Sequence, residues 1–262
     1  MACAQKWPGQ VRAVHVHHGL QAAAADFESH CRKVCLDLNI PLVLCHVDAF
    51  PSRGESPEAA ARVARYAAFE RALEPGAWPD ETLPPIQTIA IAQHADDQVE
   101  TVLLALSRGA GLAGMAGMPR YWRRGSVAYA RPFLSVSAAD IRRWLDDRSI
   151  TFVDDPSNQD VRFTRNRIRH QLLPTLEAAF PHFRQTFARS AAHAAQGGAL
   201  LDDLAQPELL TVGQPPAIRA LQLLSHGRQS NALRYWLKTT YTVIPSAAQL
   251  QELLRQVAAC RT

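Results

Sequence analysis

The sequence predicts an α/β fold: a parallel sheet with helices on both faces, followed by a smaller all-helical region. Three observations predict it. Apolar runs of strand length alternate with amphipathic helical stretches through the first half of the chain. Polar residues gather where those strands end, and after about residue 133 the periodicity turns mainly helical. Alternation of this kind implies right-handed crossovers between parallel strands. Such sheets receive ligands at the carboxyl ends of their strands.

In chain order, Val11–His17 reads as a buried strand, and Ala22–Leu38 as a helix with Phe27, Cys31, Val34 and Leu38 on one face. Pro41–Val47 is the second strand. Ser56 can cap the next helix, Pro57 suits its first position and Glu58 its first turn. That helix runs to about Leu73, and Ile86–Ala92 follows as the third strand. The next helix begins near Asp96 and is expected to bury Val99, Val102, Leu103 and Leu106. Val127–Phe133 reads as a strand near the sheet edge, and Ser137–Asp147 as a capped helix. Asn166–Leu176 reads as helix interrupted by Pro174. A long Ala-rich helix from about His182 to Leu204 carries a break or bend at Gly197-Gly198. Residues from about Pro207 onward read as a separate small helical unit, which divides the chain into 1–190, a linker 191–206 and 207–262.

The bulk properties narrow the class. Of 262 residues, 47% are hydrophobic and 20% charged, ordinary for a soluble globular protein. No run of ~18 apolar residues exists to span a membrane, and Met1–Pro8 has no apolar signal core. A cytoplasmic protein with no membrane partner is expected. Cys31 and Cys35 have the spacing to share a metal. Two small helix residues in a reducing cytosol is the favoured reading, because no second Cys pair or nearby His completes a zinc set. Net charge is +4, and only Lys6, Lys33 and Lys238 of the 28 basic residues are lysines. Arginine suits bidentate phosphate contacts, although a GC-rich genome gives the same bias. This composition permits nucleic-acid binding without establishing it.

Four segments carry chemistry. In Gln93-His-Ala-Asp-Asp-Gln-Val-Glu-Thr101, Asp97 and Glu100 fit a capping box with Asp in place of Ser or Thr. A capping box leaves unexplained His94 and Asp96 at the end of a buried strand, and Arg108-Gly109 and Gly111 one helix length later. Carboxylates beside a helix start can hold magnesium on ATP phosphates, and an Arg followed by glycines can approach phosphate oxygens. In the second segment, His17-His18-Gly19 ends a strand, where Gly19 lets the backbone approach a flat base. In the third, Glu58 and Arg62 can pair along a solvated face, while Arg62, Arg65 and Tyr66 share a face suited to a phosphate and a stacked base. The fourth, Asp154–Pro174, crowds Arg162, Arg165, Asn166, Arg167 and Arg169 behind acidic turn residues. Against a plain solvated helix face, that crowding favours an RNA backbone or an anionic intermediate.

Together these segments resemble tRNA(Ile)-lysidine synthetase, of the N-type ATP pyrophosphatase or PP-loop superfamily. The likeness runs in order through His15-Val-His-His-Gly19, Glu58…Arg62…Arg65-Tyr66, His94…Asp96-Asp97…Glu100-Thr101, Arg108-Gly109…Gly111, Arg131-Pro132 and Asp155-Pro-Ser-Asn158…Arg165-Asn166. It covers most of residues 11–190 and continues more weakly beyond. The resemblance implies an adenine nucleotide α-hydrolase-like fold. It also implies ATP-dependent attachment of free L-lysine to C2 of the wobble cytidine in a tRNA(Ile) with a CAU anticodon. By position, His94, Asp96 and Asp97 would organise magnesium and the activated base, the two aspartates as metal ligands. Arg108 would steady the adenylate. His17, His18, Gly19, Gly109 and Gly111 would contact the nucleotide. Arg62, Arg65, Tyr66, Asn158, Arg162, Arg165, Asn166 and Arg169 would contact the tRNA. An oligomer is compatible with all of this.

The sequence departs from the family at its amino end. Family members open with a hydrophobic strand and Ser-Gly-Gly-x-Asp-Ser, whose amides cradle pyrophosphate. Met1–Gln10 holds neither, and Thr262 falls before the last domain of the longer members. The expectation is a chain that is inactive and poorly stable. Without an interior strand its neighbours lose backbone partners, at on the order of 1–3 kcal/mol per buried group. Two other readings compete. A tRNA thiolase wants cysteines near the active face, where Cys31, Cys35 and Cys45 are poorly placed. A non-catalytic remnant would explain the absent loop but not the retained acidic and arginine motifs.

Overall fold

The structure, a computed structural model, describes residues 1–17, 24–48, 57–78, 80 and 84–260, with the side chains of the third helix from Ala60 onward. His18, Gly19, Ser56 and the Glu58 side chain therefore lie outside the described residues. The chain forms two compact units: residues 1–94 with 119–171, and residues 95–118 with 172–262.

In the first unit, α1 (Ala2–Lys6) precedes β1 (Ala13–His17), α2 (Ala24–Asp37), β2 (Leu42–His46), α3 (Pro57–Arg71) and β3 (Thr88–Ala90). The expected strand–helix alternation is present. β1 and β2 run parallel in a register that sets His15 opposite Leu44 and His17 opposite His46. Main-chain bonds at both ends, Ala13 N to Pro41 O (2.8 Å) and Val47 N to His17 O (3.0 Å), fix that register.

α4 (Ala95–Ser107) and α5 (Leu112–Met115) follow in the chain and belong to the second unit. The first unit resumes with β4 (Tyr121–Arg124), β5 (Val127–Ala130) and α6 (Ala138–Asp146). β5 pairs parallel to β3 on one side and antiparallel to β4 on the other. The segment expected near the sheet edge is thus the central strand of three. Ser137 caps α6, accepting from Asp140 N at 3.0 Å, as its position predicts.

The core under this sheet is aromatic. Tyr66, Phe69 and Tyr129 are buried, and Val14, Val16, Ile89, Ile91, Trp122 and Val127 pack against them. One face of α3 thereby serves residues from β1, β3, β4 and β5. Trp122 stacks on Tyr129 with centroids 5.0 Å apart and planes 17° from parallel. Among the described residues β1 pairs only with β2 and β3 only with β5.

A 3₁₀ turn (Pro156–Gln159), α7 (Thr164–Arg167) and a π-helical stretch (Ile168–Leu172) lead into α8 (Leu173–Ala179). Pro174 falls in the first turn of α8, where its missing N–H costs nothing. The second unit is then built on α9 (Phe183–Val212), followed by α10 (Ile218–Gln222), α11 (His226–Tyr241) and α12 (Ala247–Ala259). α9 runs unbroken for 30 residues, through both Gly197-Gly198 and Pro207. The expected break at the glycines is absent: the helix runs on, and Gly197 faces α5, with Leu112 Cδ1 3.4 Å from where a Cβ would lie. Pro207 costs about 3 kcal/mol in a helix interior. Burial of Leu209 and Val212 with Leu221, Leu233, Leu250, Leu254 and Val257 holds that end of the helix in place. A reciprocal capping box between Ser246 and Gln249 starts α12. Among the described residues no helix is long and apolar enough to cross a membrane.

Candidate functional site

At the carboxyl ends of β1 and β2, four side chains meet. His17 and His46 face each other with ring centroids 4.8 Å apart. Glu28 of α2 sets Oε2 3.6 Å from His46 Nε2, while its Oε1 accepts from Arg32 Nε (3.1 Å) and Nη2 (2.9 Å). The Arg32 hydrogen bond holds the Glu28 carboxyl below the ordinary range. Behind them, His15 Nδ1 lies 3.5 Å from Cys31 Sγ. Burial pushes His15 below its ordinary value; Glu28 acts in the opposite sense, and His17 and His46 add to the lowering. The His17-His18-Gly19 segment marks this strand end in the sequence, but no motif points to Glu28, His46 or the His15–Cys31 contact, because their partners come from different elements. Cys31 and Cys35 do not stand alone, but burial raises both thiols and disfavours a reactive thiolate.

On α3, Arg62 is exposed and sits 5.2 Å over the Tyr66 ring. Arg65 is exposed one residue before Tyr66. Tyr66 itself is only 8% exposed, its ring packed at 5.8 Å from Phe69 and 5.7 Å from Tyr129. The expected base-stacking role for Tyr66 gives way to a core role. Its i, i+4 partner Arg62 and neighbour Arg65 remain on the surface. Nearby, Arg131 is 2% exposed and lies 4.0 Å over the Trp122 ring. It donates to Gln93 Oε1 and, at 2.7 Å, to Pro119 O. Burial lowers its pKa, with the nearby Tyr66 acting in the opposite direction and Arg62 in the same. Arg131 thus ties the segment that leads into His94 to the end of β5. His94 is half-buried and is the last residue before the chain leaves the first unit.

The arginine-rich segment divides sharply between pinned and open side chains. Asp155 caps the 3₁₀ turn, accepting from Ser157 N at 2.8 Å. Asn166 is 7% exposed, and its Nδ2 donates to Ser157 O (2.7 Å) and Asp160 O (2.9 Å). Its expected contact with tRNA is corrected: both amide hydrogens are spent inside the protein. Arg169 Nη1 reaches Asn158 Oδ1 at 3.4 Å, and His170 Nε2 meets Asn158 O at 2.7 Å. Arg165 is half-buried, whereas Arg162 and Arg167 are exposed. Arg162 pairs with Asp160 at 2.7 Å, which lowers the Asp160 pKa and raises that of Arg162. Phe163 stands 53% exposed among these arginines. An exposed aromatic between arginines suits an unstacked base beside a phosphate.

In the second unit, α4 opens at Ala95, so Asp96 and Asp97 occupy its first turn and Asp97 is not the cap. The capping-box reading is therefore corrected. Acidic residues there oppose the positive end of the helix dipole. Asp96 is 6% exposed, and its Oδ1 accepts from Arg184 Nε of α9 at 2.7 Å. Arg184 also bonds Glu177. Burial lowers its pKa, but its hydrogen bonds to Asp96 and Glu177 outweigh that and leave it raised. The Asp97 carbonyl accepts from Thr101 Oγ1 at 2.8 Å. Glu100 is fully buried. Leu104 is buried and Leu106 is 49% exposed, the reverse of the expected helix face at that end.

Gln98, singled out by no sequence pattern, receives Met118 N at 2.8 Å and donates to Met118 O at 3.2 Å. Gly117 has φ +62°, and a Cβ there would meet the Gln98 amide at 2.9 Å. Arg108 is exposed at the end of α4, followed by Gly109 at φ +67°. Gly109 N and Ala110 N return to Leu106 O and Ala105 O at 3.0 Å each, a helix end that needs the left-handed conformation. Gly111 precedes α5 at φ −77°. The Gly109 pattern is thus explained by helix termination. It leaves the adjacent Arg108 side chain in solvent.

For magnesium, the two first-turn carboxylates supply hard oxygen ligands of the right chemistry. Arg184 already occupies one oxygen of Asp96, so the fit is partial.

Parallel strand pairs alternating with helices, with acidic and arginine motifs after the strands, are the arrangement of a nucleotide-dependent α/β protein. Residues 1–176 match the PP-loop domain family, and residues 217–262 match the TilS substrate binding domain. The chain is 55% identical over 262 residues to the tRNA(Ile)-lysidine synthase of Polaromonas naphthalenivorans, covering all of this chain and 77% of that one. It is 40% identical over 237 residues to the enzyme of the same name from Pseudomonas putida, covering 87% of this chain and 53% of that one. A solved structure, the U34-tRNA thiolase NcsA from Methanococcus maripaludis with its [4Fe-4S] cluster, superposes with a TM-score of 0.55. Its identity is 15%, over 69% of this chain and 59% of that one, a likeness of fold alone. The chain belongs to the tRNA(Ile)-lysidine synthase family, a family of ligases with an ATP-binding PP-loop domain.

Proposed function

We propose that this protein acts in the ATP-dependent ligation of free L-lysine to C2 of the wobble cytidine of tRNA(Ile) with a CAU anticodon. The observation that carries the reading is the 55% identity to a tRNA(Ile)-lysidine synthase over the whole chain. In the first step the C2 carbonyl oxygen attacks the α-phosphorus of ATP and pyrophosphate leaves. In the second the ε-amine of lysine attacks C2, loses a proton, and AMP leaves with the former carbonyl oxygen. Both steps need charge steadied on the α-phosphate and a base withdrawn from its stack.

The residues divide between these tasks. Solvent-exposed Arg108 at the end of α4 steadies the adenylate, with Gly109 and Gly111 beside the phosphates. His17, with His18 and Gly19, serves the adenosine end at the sheet's carboxyl edge. His94 orients the reacting base, and Asp97 with Asp96 would hold magnesium, which supplies positive charge to the phosphates. Arg62, Arg65, Asn158, Arg162, Arg165 and Arg169 contact the tRNA, while Asn166 and Tyr66 support them from within. The family matches over residues 1–176 and 217–262 support a division into a nucleotide and chemistry domain (1–190), a linker (191–206) and a substrate domain (207–262). The raised thiols of Cys31 and Cys35 weigh against the thiolase alternative.

The sequence contains no Ser-Gly-Gly-x-Asp-Ser, so the test supplies it. Residues 11–262 are joined behind a first strand that carries Ser-Gly-Gly-x-Asp-Ser and incubated with ATP, radiolabelled lysine and the tRNA transcript. Label in the tRNA is expected, falling about a hundredfold with Arg108→Ala. No label from lysine, or label from a sulfur donor instead, would overturn the assignment.

A further inference from the structure

We propose that His17, Glu28 and His46 form a binding site for a zinc-class divalent metal, distinct from the aspartate pair assigned to magnesium and sharing His17 with the adenosine end of the proposed nucleotide site. The site stands on geometry from three elements. β1 and β2 place His17 directly opposite His46 in register, and α2 brings Glu28 to the same end of the strand pair. One ligand atom from each residue lies within 4.8 Å of the other two. A tetrahedral zinc ion with bonds of about 2.0–2.1 Å needs its ligand atoms roughly 3.3 Å apart. The His46–Glu28 pair, at 3.6 Å, is already near that spacing. The rest can close by side-chain rotation, since the His46 side chain is 64% exposed and can turn freely.

The surroundings suit a metal. Arg32 occupies Oε1 of Glu28 through two donors and leaves Oε2 aimed at His46, the orienting role that outer partners play around metal ligands. The two imidazoles lie ring to ring beside that carboxylate, so each can offer a ring nitrogen to one shared cation. Imidazole nitrogen with a single carboxylate selects zinc, nickel or copper over magnesium and calcium. Three protein ligands leave a fourth position for water or a substrate atom, the arrangement of an exchangeable site. His15, backed by Cys31 at 3.5 Å, lies next along the same face of β1.

The test uses the whole chain and does not depend on ligase activity. Metal-free protein is titrated with Co²⁺, read by its visible absorption, and then with Zn²⁺ in competition. One equivalent is expected to bind, with Zn²⁺ displacing Co²⁺. His46→Ala and Glu28→Gln should each weaken binding at least tenfold, while His226→Ala, at an exposed histidine of the other unit, should leave it unchanged. Circular dichroism would confirm that the variants keep their helix content. Binding of less than one equivalent, or binding that survives both His46→Ala and Glu28→Gln, would overturn the proposal. In that case the cluster is an ordinary His–Glu contact.

Discussion

Two acid–arginine pairs, Asp96–Arg184 in the second unit and Asp160–Arg162 in the first, have the same separation of 2.7 Å and opposite surroundings. The Asp96 and Arg184 side chains are 8% and 19% exposed, and they join residues 88 apart in the chain. Arg162 is 87% exposed and pairs with a residue two positions away. The first pair ties the start of α4 to α9, so losing either partner leaves a largely buried charge with one partner fewer. The second merely organises an exposed loop, and water can replace either partner. Distance alone therefore says nothing about which pair holds the fold and which presents charge to a ligand.

Asp96→Ala puts the greatest load on this contrast. Removing one partner of a buried pair costs about 3 kcal/mol, at the low end of the range because Arg184 keeps Glu177. Urea unfolding measures it directly. Adding Arg184→Met in the same protein should recover part of the stability, because the stranded guanidinium goes with it. A cost below about 1 kcal/mol would put this pair in the same class as exposed ones.

Asn166→Ala comes next. The side chain is buried in the arginine-rich segment, yet it holds the turn through Ser157 O and Asp160 O. Losing two neutral hydrogen bonds costs about 2 kcal/mol. Because Asp160 positions Arg162, tRNA affinity should fall as well, through the turn that Asn166 holds. A variant that lowered affinity with no change in unfolding midpoint would return Asn166 to the tRNA surface.

How much of these regions is legible in the sequence follows from how local each signal is. The parallel β1–β2 pair and the Ser137 cap each rest on a few consecutive residues, and each can be read there, whereas Pro174 reads as an interruption and instead opens α8. β4 escapes such a reading because Tyr121-Trp-Arg-Arg shows no apolar run. The signal that marks it is the two-residue Gly125-Ser126 link, with Gly125 at φ +59° between paired Arg124 and Val127. Without β4, β5 looks like an edge strand. At Gly197 a propensity rule fails because the packing of α9 against α4, α5 and α11 outweighs the local cost of two glycines. Arg184 and His46 cannot be found from motifs, since their partners Asp96 and Glu28 lie on other elements. The candidate site is thus readable in its motif residues and unreadable in the partners that hold them.

The smallest effect on stability, and the most informative for function, belongs to Arg162→Ala. An exposed arginine removed from a surface pair changes stability by no more than about 0.5 kcal/mol. If Arg162 meets the tRNA backbone, the same change weakens binding to any tRNA sequence. It also lowers the salt dependence of affinity by about one unit of slope, as expected when one fewer phosphate is neutralised. Filter binding of tRNA(Ile) across a salt series, with Arg162→Ala beside Asp160→Asn, separates the two meanings of the pair. Asp160→Asn frees the guanidinium and removes a nearby negative charge, so tighter binding is expected from it and weaker binding from Arg162→Ala. Equal weakening by both would mean that the pair shapes the loop and does not present charge.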